Sequence, residues 1–228
     1  MTLPICETGG LLEAAGARLE DTKYATIPWN YVERTRIAAA ALHRAAAVLR
    51  DGGESVIHPL GFARIPLSAW TLEQPRIAVH VWCGDWSDAY AHDIHDHCYN
   101  FVSICIAGEI RHSFFEPCDT AEAIAFDALH YRAGCCDESE SAPGEGQRLA
   151  LVDEQTVAAP EALLLHHSQL HRALPLTDFA ITVQFQSSCI KPAARVFRAA
   201  DIREHRKIRS MESLSRERLA LMLESPGL

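Results

Sequence analysis

The hydrophobic pattern changes period twice along the chain. Between residues 28 and 50, PWNYVERTRIAAAALHRAAAVLR sets Ile37, Ala41, Ala45 and Val48 at three- and four-residue steps, the spacing of one helical face. Alanine is the strongest helix former, Asn30 can cap the start and Gly52–Gly53 can end it, so a helix packing on a sheet is expected here. From residue 55 to about 190 the period shortens. SVIHPLGFARIPL, RIAVHVW, NFVSICIAGEIRHSFF, QRLALVDEQTVAAP, ALLLHHSQLHRAL and DFAITVQFQ are short runs rich in Val, Ile, Phe and Leu, broken by Gly, Pro, Asp and Asn. Many short strands at near-regular spacing predict an antiparallel sandwich or barrel. GCCDESESAPGEGQ, residues 134–147, is polar and acidic and reads as a surface loop. After residue 199 the helical pattern returns, with SMESLSRERLALMLES as an amphipathic C-terminal helix. The expected division is a helical segment over 1–54 packing on the barrel, a β-barrel over 55–192 and a helical extension over 193–228.

A chain of 228 residues suits one domain with appendages and is large enough to build its core without a disulfide or metal staple. No apolar run approaches the roughly 18 residues of a membrane span, and MTLPICETGG lacks the basic start and apolar core of a secretory signal. No membrane association and a cytoplasmic location are therefore expected. The eight cysteines are scattered without a CxxC pair, which reads as reduced thiols. The net charge of −9 argues against nucleic acid as a partner. From Lys191 onward, however, nine Lys/Arg face five Asp/Glu, a balance of +4 on an otherwise acidic body. Such a tail docks most simply onto that body or onto a sister subunit, which leaves a homodimer open.

The candidate chemistry lies in AHDIHDHCYNFV, residues 91–102, where three histidines and two aspartates fall within six residues. In extended backbone, residues two apart share a face, so His95 and His97 stand side by side with Tyr99, Phe101, Ser103 and Cys105 following. Two neutral imidazoles so placed can take adjacent positions on one ion. Asp96 faces the other way, as a hydrogen-bond partner. A third ligand must come from a distant strand. His166, His167 and His171 in LLLHHSQLHRAL are the candidates, with His80, His92 and His112 behind them. His171 is favoured because it follows the turn at His167–Ser168–Gln169 and opens the next strand, whereas His92 reads as a rim residue. The hydrolase pattern H-x-H-x-D-H does not fit: His92 and His95 stand one residue too far apart, and the surroundings lack alternating helices.

With these residues in view the sequence resembles the cupin superfamily. Its first motif runs H-x-H, three or four residues, Glu, six residues, Gly. IHDHCYNFVSICIAGEI supplies His95 and His97, then Cys98–Tyr99–Asn100, Phe101 at the Glu position and Gly108 six residues on. The single histidine ending the second motif is matched by His171 in QLHRAL, although the usual Pro-x-Gly before it is absent. The resemblance covers roughly residues 55–190 and implies a double-stranded β-helix, or jelly-roll barrel, with N-terminal and C-terminal helices. Phe101 removes the usual carboxylate ligand and leaves three histidines, a set similar to that of thiol dioxygenases. IHDH before an apolar strand, the upstream RIAVHVW and an N-terminal helix fit their layout too. The resemblance thus implies a non-haem Fe(II)-dependent dioxygenase whose partners are O2 and a small polar molecule, of thiol or amino-acid type, that chelates the metal. Zn, Ni or Mn in a redox-neutral lyase or isomerase is the alternative, and a ligand-binding cupin without chemistry a third. Thiol dioxygenases carry Ser-x-His-x-Tyr on the strand after the third histidine, where this chain has Thr182, Gln184 and Gln186. An anionic substrate needs a fixed cation. Arg64, Arg76, Arg111 and Arg172 lie in or beside expected strands, and Arg64, set among apolar residues in GFARIPL, is preferred. Tyr99, Gln184 and Gln186 are candidates for lining the same pocket.

Overall fold

The computed structural model describes residues 23–27, 31–58, 60–68, 73–83, 92–120, 123–132, 138–139, 147–199, 209–210 and 213–224. In chain order its elements are β1 (Tyr24–Ile27), α1 (Tyr31–Arg50), β2 (Val56–His58), β3 (Phe62–Pro66), β4 (Arg76–Cys83), β5 (Ile94–His95), β6 (Phe101–Ala107), β7 (Glu109–Pro117), β8 (Ile124–Arg132), β9 (Glu138–Ser139), β10 (Gln147–Ala158), β11 (Ala162–Leu165), β12 (Leu170–Pro175), β13 (Phe179–Gln186), β14 (Ala193–Ala199), β15 (Arg209–Ser210) and α2 (Ser213–Leu223). The strands form two antiparallel sheets, ordered β1-β11-β6-β13-β4-β3-β2-β15 and β10-β7-β12-β5-β14-β8-β9, with β10 also pairing β8. From β4 to β7, and again from β10 to β14, successive strands alternate between sheets. The second run threads into the first: β13 lies between β4 and β6, and β12 between β5 and β7. That interleaving is a double-stranded β-helix, the jelly-roll barrel expected from the sequence.

Strand parity sorts the side chains of the first sheet. Ala63 and Ile65 of β3, Ile77, Val79 and Val81 of β4, Val102 and Ile104 of β6, and Ile181, Val183 and Phe185 of β13 form one buried cluster. Ala41, Leu42, Ala45, Ala46 and Leu49 of α1 and Leu219, Ala220 and Leu223 of α2 complete it, with Ile37 and Val48 packed alongside. An Arg50–Glu224 ion pair joins the two helices. Each Val, Leu, Ile or Phe buried here contributes about 1.5–3 kcal/mol, so this layer stabilises the fold without help from the barrel interior. The alternate residues face inward, and they are polar to an unusual degree: Arg76, His80, Ser103, Thr182, Gln184 and Gln186 are all buried. At the β6–β7 corner, Gly108 has φ +72°, and a Cβ there would collide with the Phe179 carbonyl and the Thr177 hydroxyl. Only glycine fits this turn.

The sheets reach beyond residues 55–192. β1 pairs with β11, Tyr24 opposite Leu165 and Ile27 opposite Ala162. β14 lies in the second sheet between β5 and β8. The sequence hid β14 because Val196, Phe197 and Arg198 are consecutive and all buried, so no polar–apolar alternation marks it. β9 falls within the expected acidic loop and pairs with β8. Residues 134–137 and 140–146 of that loop, and the expected cap Asn30, lie outside the described residues. The described cysteines Cys83, Cys98, Cys105 and Cys189 are free thiols. Neither described helix is long and apolar enough to cross a membrane.

Candidate metal centre

His95 sits on β5, a two-residue strand held on both sides: it lies opposite His171 of β12 and opposite Val196 of β14. The chain then bends through residues 96–100 to enter the other sheet at Phe101. Asp96 anchors the bend. Its carboxylate is fully buried and accepts from Arg195 N and Arg195 Nε at 2.7 Å each and from Lys191 Nζ at 2.6 Å. It faces away from the histidine pair, as strand parity requires. Just before β5, Asp93 is buried against Arg198, whose Nη2 donates to Oδ2 at 2.7 Å. On the far side of the bend, His97 N donates to the His167 carbonyl at 3.2 Å, while Asn100 Oδ1 accepts from His167 N at 2.8 Å. The bend carrying His97 is thereby tied to the turn that leads into His171.

Three imidazoles meet where these supports converge. One ligating nitrogen from each of His95, His97 and His171 falls within 4.8 Å of the others. His97 Nε2 and His171 Nε2 are 2.9 Å apart. Two adjacent nitrogens bound to one ion at about 2.1 Å stand about 3 Å apart, so this pair already has the spacing an ion requires. Burial holds all three rings below the ordinary imidazole pKa of 6.5. For His97 the neighbouring His95, His80, Lys191 and His58 add to the effect, and for His171 the neighbours His95, His97 and His112 do. The Asp93 carbonyl and Asp96 partly oppose it at His95. Neutral imidazoles keep the lone pairs a cation needs. The donor set and its spacing fit a transition metal or zinc.

Phe101 is fully buried beside the triad, its ring 4.8 Å from that of His97 and nearly perpendicular to it. At this place the apolar ring adds neither a ligand atom nor a charge to the triad. Tyr99 lies 5.2 Å from His97, ring to ring, and the Arg76 guanidinium carbon sits 4.8 Å from the centroid of the Tyr99 ring. Gln186 stands opposite both Arg76 and Phe101 in the sheet and donates to Gln184 Oε1 at 2.5 Å. Arg64 is half-buried opposite His80; burial lowers the pKa of both His58 and His80, and the Arg64 charge lowers it further. Phe62, Trp82, Ile110, Ala173 and Ala180 form an apolar cluster adjoining these groups. Two buried atoms, His80 Nε2 and Trp82 Nε1, have no hydrogen-bond partner among the described residues.

The other sequence candidates lie elsewhere. His92 is exposed. His166 and His167 are half-buried in the turn before β12, where His166 Nδ1 contacts Ser168 Oγ at 2.8 Å and His167 Nδ1 contacts Asn100 Oδ1 at 3.0 Å. Arg111 lies 3.8 Å from Glu154, and Arg172 covers the Phe115 ring. Among the sequence candidates His80 and His112 stand only in reserve, and Trp82 is not among them. The alternation Arg76, Ala78, His80, Trp82 along β4 was the available signal, masked because the opposite face is equally buried.

No known protein family matches the chain, and no curated protein matches it. Among solved structures it is similar to hydroquinone 1,2-dioxygenase from Sphingomonas sp. TTNP3 with 4-hydroxybenzoate bound, at 13% identity over 65% of this chain and a TM-score of 0.23. That match spans 66% of the enzyme, just under two thirds of its length. A second hydroquinone 1,2-dioxygenase, in complex with Cd2+ and 4-hydroxybenzonitrile, matches at 12% identity over 55% of this chain and 76% of the other, with a TM-score of 0.18. Both are too distant to carry a substrate or a reaction across.

Proposed function

We propose that this chain is a cupin oxygenase of the three-histidine type, a non-haem Fe(II)-dependent dioxygenase acting on a small anionic substrate that chelates the metal. The observation that carries the reading is the convergence of His95, His97 and His171 with Phe101 in the carboxylate position. An iron(II) ion held by three neutral imidazoles alone would keep its full charge and offer open positions to a chelating substrate and to O2. The protein's own groups supply the rest. Arg64 and Arg76 provide positive charge on the inner wall, suited to a carboxylate or another anionic end of the substrate. Tyr99, Gln184 and Gln186 offer hydrogen bonds that orient it, and the cluster around Phe62 and Trp82 keeps water out. Thr182, Gln184 and Gln186 in place of Ser-x-His-x-Tyr favour a substrate other than a simple cysteine-like thiol.

The same donor set suits zinc, nickel or manganese, which defines the competing lyase or isomerase reading. The protein is purified without oxygen, its metal content measured, and the Fe(II)-loaded form tested in an oxygen electrode against small thiol, amino and hydroxy acids. Substrate-dependent O2 uptake that His171→Ala abolishes is the expected result. Turnover that needs no O2 and runs with Zn, Ni or Mn would replace the oxygenase reading with the redox-neutral one.

A further inference from the structure

His112 stands on β7 opposite Ala173, two residues along β12 from His171, and it is 5% exposed. Its Nδ1 lies 3.4 Å from His171 Nδ1. The ring planes differ by 9° and the centroids are 5.6 Å apart. The centroid spacing exceeds the nitrogen spacing by about one ring radius at each end, so the two rings meet edge to edge in a common plane. An N–H on one nitrogen then points along the line to the lone pair of the other, the orientation a hydrogen bond favours. We infer that His112 is a positioning residue: it accepts a hydrogen bond from His171 Nδ1–H and so holds His171 in the tautomer whose Nε2 lone pair faces the metal position.

The tautomer is the point at issue because His171 Nε2 is the atom 2.9 Å from His97 Nε2. With the proton on His171 Nδ1, Nε2 is a bare donor to a cation. With the proton on Nε2, the same ring is only a hydrogen-bond donor to His97 and cannot ligate. His95 receives its orientation differently, through Nδ1 at 3.4 Å from the Asp93 carbonyl, a group that can only accept. At His171 that part falls to an imidazole, which must carry its own proton on Nε2 to leave Nδ1 free to accept. Outer partners of this kind strengthen metal binding by fixing the ring and its tautomer. Burial lowers the His112 pKa to about 3, so this partner is a neutral acceptor.

This inference rests on the triad being a metal site, and its test separates the two. Co(II) is titrated into the whole chain, followed by its visible absorption, for the wild type, His112→Phe and His112→Asn. Phenylalanine fills the space without an acceptor, whereas the asparagine Oδ1 can take the place of Nδ1. The expected result is a loss of Co(II) affinity of about 10–100-fold in His112→Phe, with a changed spectrum, and recovery to within a few-fold in His112→Asn. Nitrogen-15 NMR of the metal-free wild type, which needs no variant to fold, should find His171 protonated at Nδ1 and His112 at Nε2. Wild-type affinity and spectrum in His112→Phe, or the reverse tautomers by NMR, would overturn the role of His112 while leaving the triad standing. Failure of the wild type to bind Co(II) would overturn the metal reading itself, and this inference with it.

Discussion

At the metal centre His95 ends β5, His97 lies in the bend over residues 96–100 and Phe101 opens β6, yet all three share one face. The spacing of two and four residues made that face legible in the sequence, and the bend did not show. His171 needed a partner strand, and the turn before it supplied the cue. The protonation state of the buried imidazoles was not legible, since it depends on how completely the barrel excludes water. Burial lowers the pKa of His80 and of His112 to about 3, with Arg64 adding to the shift at His80. An imidazole that stays neutral in the fold, but takes a proton near pH 6.5 when unfolded, leaves stability complete above that pH. The stability is lost as pH falls from 6.5 toward the folded value, at about 1.4 kcal/mol per pH unit for each group, or about 2 kcal/mol apiece at pH 5. Urea denaturation of the metal-free protein should therefore show falling stability from pH 7 to pH 5, and His80→Phe and His112→Asn should each flatten the slope by about one proton. Slopes identical to the wild type would mean that these rings titrate normally in the fold.

β14 illustrates what periodicity misses. Its basic residues gave the C-terminal region the character of a charged tail, yet Arg195 and Arg198 are the groups that tie the strand to β5 and the bend after it. Helix α1 was readable because its small and apolar residues repeat at helical steps against one sheet face, whereas the four residues of β1 carry too little pattern to mark a strand. The two acid–base contacts at β5 differ in kind from the exposed Lys23–Glu116 pair, whose side chains are about half accessible. Asp93 and Arg198 are both almost fully buried, so removing the carboxylate takes the ion-pair partner from a charge in the interior. Asp93→Ala is expected to cost about 3–5 kcal/mol in chemical denaturation. Lys23→Ala should cost no more than about 1 kcal/mol. Equal, small effects would show that β14 does not depend on the buried pair.

Across the molecule, two kinds of interior are kept apart by the first sheet. One face packs on α1 and α2 and holds the fold; the other, inside the barrel, gathers histidine, arginine and glutamine at a cost in buried polarity. The interleaving of the two strand runs closes a 74-residue gap between His97 and His171, which is why the mainly β pattern and the ligand face were readable while the assembled pocket was not. Because the apolar layer lies on the other side of the sheet, ligand variants should still fold without metal. The most direct measurement is the metal bound per chain after equimolar Co(II) or Fe(II) loading, compared among the wild type, His95→Ala, His97→Ala and His171→Ala. One ion per wild-type chain, and loss of tight binding in each folded variant, is the result expected. Full wild-type binding in all three variants would contradict a metal centre at these histidines.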